Sequence, residues 1–412
     1  GFLLSAISSN SGKTAAACGL MSAFLQNGKC IRACKCGPDY IDPMFHREVL
    51  GIDSKNLDLF FSDEEKLRVG YLRHTLGAEL TITEGVMGFY DGMSLDSVKG
   101  SSYDVAQTLG LPVILVINAR GAAMTLVATV KGIVEFRPDS NIRGILLNRV
   151  SAMLYPRLKE MLENELVQIG HDEIKIVGYM PENEVFHLES RHLGLVTPQE
   201  MENLQEKVRQ AGEILTKTVD LELLEQIAGE AAVWKTEVIE ESEKVGNLKS
   251  KNDPVRIAVA RDEAFCFYYK DNLELLESLG CELIEFSPLR DEKLPDNISG
   301  LILGGGYPEL YGKQLSENQS MLTSIRKALM QEKIPCLAEC GGFMYLHEEM
   351  EDTAGNVWKL VGRIHGKTFP TGKLVRFGYV NLQRNLDEDQ ISELKERMSI
   401  ADSWILPGEN IR

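Results

Sequence analysis

Near its start the chain passes from a short apolar run, Gly1-Phe2-Leu3-Leu4, through Ser8-Ser9-Asn10-Ser11-Gly12-Lys13-Thr14, into a helical pattern from Ala15 to Asn27. A strand, a small-residue loop ending in Gly-Lys-Thr, and a helix in direct succession constrain the fold more than any other feature. This order puts the loop's backbone N–H groups and the helix N-terminus at the strand's carboxyl end, facing an anion. Ser11 and Gly12 then belong to a phosphate cradle, Lys13 reaches the β- and γ-phosphates, and the Thr14 hydroxyl binds Mg²⁺. A chance Gly-Lys-Thr at a helix start would lack the strand before it. The usual G-x-x-x-x-G-K-[ST] spacing asks for Gly at position 7, which holds Ile7.

Ala6, one place earlier, instead fits the longer loop of the dethiobiotin-synthetase-like group. Further apolar runs follow at Leu80-Thr81-Ile82-Thr83, Pro112 to Ile117 and Gly144 to Leu147. They are continuous rather than alternating, as strands buried on both faces are. Strand signals resume at Val255 to Ala260, Leu283 to Phe286, Gly300 to Leu303 and Ile334 to Ala338. The expected fold class is therefore α/β, with two domains, each a mainly parallel sheet flanked by helices. We place a phosphate-loop domain at 1–235, a charged linker without aromatics at 236–252, and a second domain at 253–412.

The net charge of -17 offers no basic face for nucleic acid, so no nucleic-acid partner is expected. No apolar run approaches the roughly 18 residues of a membrane span, and no signal peptide is evident, so a cytoplasmic protein without a membrane partner is expected. The eight cysteines include no pair at zinc or redox spacing.

Acids stand where an open parallel sheet binds ligands, at the carboxyl ends of strands. Asp39 and Asp42 lie in the turn-rich stretch Lys35 to Pro43, and Glu84 ends the strand before Gly85-Val86-Met87-Gly88, with Asp91 beyond. Glu84 is placed as the acidic metal ligand of a phosphate-loop protein, and carboxylates beside phosphates suit Mg²⁺. Taken singly, each of these acids also reads as a turn residue or helix cap.

In the second half, Ala338-Glu339-Cys340-Gly341-Gly342 sits between a strand expected to be buried and a helix start. A cysteine on such a turn reads as a nucleophile whose pKa is lowered by the helix N-terminus. The Gly341 amide and the run Gly304-Gly305-Gly306, with Gly305 at its centre, are the expected oxyanion donors. The alternative, a cysteine packed as a small hydrophobe, holds for the other seven. No histidine stands out as the base: His347 is expected on the same helix as Cys340, and His365 in a loop.

These motifs, in this order, resemble the cobyrinic acid a,c-diamide synthases over essentially the whole chain. The resemblance rests on the Ser8–Thr14 loop, Gly37-Pro38-Asp39-Tyr40-Ile41-Asp42-Pro43-Met44-Phe45-His46, and Glu84 to Gly88. It extends to Ser190-Arg191-His192-Leu193-Gly194-Leu195, Ala260 to Phe265, Gly304 to Glu309, and the Cys340 turn. It implies a dethiobiotin-synthetase-like domain using ATP and Mg²⁺, then a class I glutaminase domain that releases ammonia. The implied substrate is a corrinoid or related tetrapyrrole carboxylate, with glutamine or ammonia as nitrogen source and acyl phosphates as intermediates. A homodimer is left open.

Residue by residue, the resemblance makes Thr14, Asp39 and Glu84 metal ligands, and Asp42 and Asp91 acids of the synthetase site. It sets Asn148 and His192 beside the nucleotide and makes Cys340 the glutaminase nucleophile. It also implies that the glutaminase base lies in a segment following Arg412, so the second domain is expected to be incomplete. Competing readings are an enzyme amidating another tetrapyrrole such as nickel-sirohydrochlorin, a phosphate-loop switch protein, and a stand-alone glutaminase.

Overall fold

In the computed structural model the described residues are 1–188, 198–234, 254–372 and 378–380. The expected linker, the His192 motif and the C-terminal stretch lie outside them. Strands β1 (Phe2–Ala6), β2 (Ile31–Cys36), β3 (Ser54–Leu57), β4 (Leu80–Glu84), β5 (Val113–Asn118), β6 (Ile142–Asn148) and β7 (Lys175–Met180) form one sheet. Its order is β3-β2-β4-β1-β5-β6-β7, with every neighbouring pair parallel.

The continuous apolar runs have a simple cause: both faces of this sheet are covered. Phe2, Leu4, Ala6, Ile114 and Val116 pack on one side, with α1 (Lys13–Gln26) among their neighbours. Leu3, Leu115 and Ile117 point to the other, toward α4 (Ser102–Leu109) and α5 (Met124–Phe136). Between these helices the chain carries α2 (Ile41–Leu50) and α3 (Glu64–Thr75). The remaining helices of this half are α6 (Tyr155–Gln168), α7 (Pro198–Thr218) and α8 (Leu221–Ala228).

The second half builds a parallel sheet of β8 (Val255–Ala260), β9 (Cys281–Phe286), β10 (Gly300–Leu303) and β11 (Cys336–Ala338), ordered β11-β10-β8-β9. Its helices are α9 (Lys270–Ser278), α10 (Gly312–Glu317), α11 (Gln319–Met330) and the short α12 (Gly341–Tyr345). A three-stranded sheet of β12 (His347–Glu351), β13 (Val357–Lys359) and β14 (Ile364–Thr368) completes the described part.

Three expectations need correction here. The strand before Cys340 is an edge strand of the described sheet rather than a buried one, and Leu337 within it is 56% exposed. His347 does not share the Cys340 helix: α12 ends at Tyr345, and His347 opens β12. His365 lies in β14 instead of a loop, where its ring pairs with Glu348 at 2.8 Å. Apolar patterning alone could not distinguish a one-turn helix followed by a short strand from a longer helix.

The two halves meet through a small set of specific contacts. Tyr40 stacks on Phe267 and Tyr269, with ring centroids 5.3 and 4.2 Å apart, and the Tyr269 hydroxyl donates to Pro38 O at 3.0 Å. Lys55 pairs with Asp271 and Glu274, and Lys270 with Asp53.

Candidate functional site

The phosphate-loop geometry follows from one glycine. Gly12 caps α1 with φ 94°, and a Cβ there would lie 2.3 Å from Asn148 Nδ2. Asn148, at the carboxyl end of β6, donates that Nδ2 to Ser11 O at 2.9 Å. It therefore braces the loop from the neighbouring strand end. Gly12→Ala combines backbone strain with this collision and should weaken ATP-analogue binding by roughly tenfold or more, since the two costs together exceed ~1.4 kcal/mol. Titration calorimetry of the variant would show it.

Lys13 lies along the loop, with Nζ donating to Ser8 O at 3.3 Å and also to Met87 O. Burial, and secondarily the nearby Lys35 ammonium, push its pKa down to about 8. A lysine held dry beside empty space gains most from an incoming anion.

Behind Lys13 lies a buried charge cluster. Thr14 Oγ1 donates to Glu84 Oε1 at 2.6 Å. Lys35 Nζ is 3.0 Å from the same oxygen and 2.6 Å from Asp42 Oδ2, and it also donates to Gly85 O at 3.1 Å. Burial alone would raise the Glu84 carboxyl, but Lys35, His46 and Thr14 outweigh it and hold the group below the usual carboxylate range. One ammonium cannot serve both acids equally. Burial and the Glu84 charge push Asp42 up to about 7, against the pull of Lys35.

Asp39 is not drawn into this cluster through its carboxylate. Its Oδ1 accepts from the Ile41 and Asp42 amides at 2.8 and 3.3 Å, capping the start of α2. The structure thus brings Thr14 and Glu84 together but leaves Asp39 as a helix cap on the cleft wall. Among the described residues no three His, Cys, Asp or Glu side chains converge as a metal site. Asp91 is exposed, and its Oδ2 accepts from the Gly88 amide at 2.8 Å, which fixes the turn carrying Met87.

Around these groups opens a cleft of about 980 Å³. Lys13, Thr14, Lys35, Asp39, Asp42 and Glu84 all face it, and Arg149 and His187 line its far side. Two residues here escaped the sequence reading, Lys35 and His46. Each stood inside a motif already quoted. Lys35 is the next-to-last residue of β2, at the ligand-binding end of a parallel strand, and His46 follows Asp42 by one helical turn. Those positions were the available signal.

In the second half, Cys340 sits between β11 and α12 with φ 46° and ψ -109°, a conformation that non-glycine residues avoid. The turn is close-packed: a Cβ at Gly342 would lie 2.1 Å from Leu303 O. The amides of Gly341 and Gly306 face the thiol. Gly305, the expected donor, instead packs its α-carbon side against Cys340, and its carbonyl accepts from Phe267 N at 3.1 Å.

The expected lowering of the Cys340 pKa is also overturned. Although Cys340 is exposed as a residue, partial desolvation of its thiol within the turn pushes the pKa up, Glu309 and Glu339 add to that, and the two glycine amides offset only part. A five-residue helix contributes too little dipole to prevail. The Tyr40–Phe267 stack and the Phe267–Gly305 hydrogen bond join this turn to the acid loop of the first half.

Comparison with known proteins agrees with this two-part architecture. Residues 2–196 match the CobQ/CobB/MinD/ParA nucleotide binding domain, and residues 256–395 match the CobB/CobQ-like glutamine amidotransferase domain. The cobyrinate a,c-diamide synthase of Clostridium tetani is 43% identical over 92% of this chain and 82% of its own length. Those of Caldanaerobacter subterraneus and Clostridium acetobutylicum are 41% and 40% identical, over 94% and 92% of this chain and 82% of each relative. With a nucleotide-binding half, an amidotransferase half and this level of identity along nearly all of its length, the chain belongs to the cobyrinate a,c-diamide synthase family.

Proposed function

We propose that the chain converts the a and c carboxylates of a cobyrinate to amides in turn, using ATP and taking nitrogen from glutamine or ammonia. The observation that carries this reading is the convergence of Lys13, Thr14, Lys35, Asp42 and Glu84 on one cleft, beside a separate cysteine turn. A carboxylate is a poor electrophile, so its activation is the hard step. A carboxylate oxygen attacks the γ-phosphorus, the bond to the β-γ bridging oxygen breaks, and ADP leaves. Ammonia then attacks the acyl carbon, loses a proton, and expels inorganic phosphate.

In this scheme the loop amides and Lys13 hold the β- and γ-phosphates, and Lys13 follows the charge as it shifts toward the leaving oxygen. Lys35 offers a second cation between Asp42 and Glu84. Asp42, whose carboxyl is pushed above its usual range by burial and the Glu84 charge, is suited to exchange a proton with the incoming ammonia or ammonium. Asp39 and Asp91 shape the cleft through the backbone they hold. We assign Asn148 and His192 to the nucleotide side, and His192 lies outside the described residues. Thr14 and Glu84 present hard oxygen donors 2.6 Å apart, a fit for Mg²⁺, which would spread the phosphate charge once bound with the nucleotide.

Cys340 is assigned the attack on the glutamine amide, with Gly341 and Gly306 as oxyanion donors. Its raised pKa means that a base is needed to take the thiol proton. We propose 1–235 and 253–412 as the two domains, joined by 236–252, and both family matches fall within these bounds. No helix of the described residues is long and apolar enough to cross a membrane.

The test is direct. Incubated with cobyrinate, ATP, Mg²⁺ and ammonium, the protein should yield products lighter by about one mass unit per amide, because OH is exchanged for NH₂. ATP hydrolysis without any such product would contradict the assignment.

A further inference from the structure

Glu84 uses its two carboxylate oxygens on opposite sides. Oε1 faces the cleft, with Thr14 at 2.6 Å and Lys35 at 3.0 Å. Oε2 faces away, toward His46 Nε2 at 3.4 Å, and these two buried atoms, which have no hydrogen-bond partner, are each other's charged or polar neighbour at ion-pair distance. His46 is fully buried, and its other nitrogen, Nδ1, lies 3.0 Å from the hydroxyl of Ser54, itself fully buried at the start of β3. An imidazole sealed in a core costs free energy unless its nitrogens are engaged, and an apolar side chain would fill the same space without that cost.

We infer that His46 is a positioning residue of the nucleotide site: held by Ser54, it fixes Oε2 of Glu84 from behind, so that Oε1 alone is presented to the cleft. The inference rests on the reading of Glu84 as the acid of that site. The geometry gives it a clear logic. Asp42 and His46 stand one turn apart on α2, and both reach Glu84's surroundings from that one helix. Asp42 engages Lys35 on the cleft side, while His46 engages the hidden oxygen. Without His46, the buried Oε2 would lose the imidazole 3.4 Å away that faces it, and the carboxylate could relieve this by rotating away from Thr14. Partners standing behind an acidic ligand commonly alter ion affinity or activity by about 10–100-fold.

The experiment is equilibrium binding of Mn²⁺ with a non-hydrolysable ATP analogue, followed by electron paramagnetic resonance, alongside ammonia-driven turnover. His46→Leu should weaken Mn²⁺ binding in the ternary complex by roughly 10–100-fold and lower kcat, with the tetrapyrrole KM little changed. His46→Gln can place an amide N–H near the Nε2 position and should recover most of both losses. Ser54→Ala should shift binding in the same direction by a smaller factor. Circular dichroism melting identifies any variant that fails to fold. If His46→Leu does not fold, Ser54→Ala and His46→Gln decide the question.

Wild-type Mn²⁺ affinity in folded His46→Leu would overturn the inference. So would equal losses in the Gln and Leu variants, or, where Leu does not fold, wild-type affinity in Ser54→Ala. Lys13→Ala separates the two levels of the argument. If it still binds the analogue as wild type does, the nucleotide-site reading itself fails. If it loses the analogue while His46→Leu keeps full ion affinity, only the role of His46 is lost.

Discussion

Lys13→Ala is expected to abolish amidation with glutamine and with ammonia alike. The lysine is the one cation of the phosphate loop, it is only 8% exposed, and it is anchored by two backbone carbonyls until a phosphate displaces them. Charge moves toward the leaving oxygens during phosphoryl transfer, and a preorganised ammonium in a dry site stabilises that movement more than water can. Loss of one such donor typically costs about 10²–10³ in rate, and here ground-state binding of the triphosphate is lost as well. Turnover of both nitrogen sources, measured by product mass, should therefore fall together. If Cys340 were the whole catalytic apparatus, Lys13→Ala would leave glutamine hydrolysis unchanged and ATP would have no effect on it.

The second large effect divides the nitrogen sources. Cys340→Ala should reduce glutamine-driven amidation by roughly 10⁴-fold or more, as removal of a covalent nucleophile does. Ammonia-driven amidation should stay within about twofold of wild type, because free ammonia bypasses the step that needs the thiol. Alanine leaves the backbone at the same strained φ of 46°, so the turn itself should persist. The check is initial rates with each nitrogen source in one preparation. Loss of the ammonia-driven rate in Cys340→Ala would mean that the turn supports the synthetase site, for which the Tyr40–Phe267–Gly305 chain offers a physical route.

The parts of this molecule legible in its sequence are those fixed by neighbours along the chain. The strand–loop–helix around Gly12 is local chemistry, and the buried parallel strands announce themselves as unbroken apolar runs. Glu84 was legible because it closes such a run. β3, whose sequence is Ser-Lys-Asn-Leu, was not, because an edge strand of four residues carries no apolar pattern.

Lys35 and His46 gain meaning only from residues far away in sequence. A lysine inside a turn-rich stretch reads as solvated until β2 and β4 lie side by side, with Lys35 in register with Glu84. The lowered cysteine pKa failed for the opposite reason. The helix rule is a local one, and it was outweighed by burial and by Glu309, contributed from another segment. For Asp39 the sequence could not show that one carboxylate oxygen, Oδ1, would accept from the Ile41 and Asp42 amides while the residue still lines the cleft.

The central claim is that this cleft activates a carboxylate by phosphorylating it. The most direct measurement uses cobyrinate labelled with ¹⁸O in its carboxylates, ATP, Mg²⁺ and ammonium, with mass analysis of the inorganic phosphate released. An acyl phosphate passes one carboxylate oxygen to phosphorus, so one ¹⁸O should appear in phosphate for each amide formed. Amide formation accompanied by unlabelled phosphate would contradict the account.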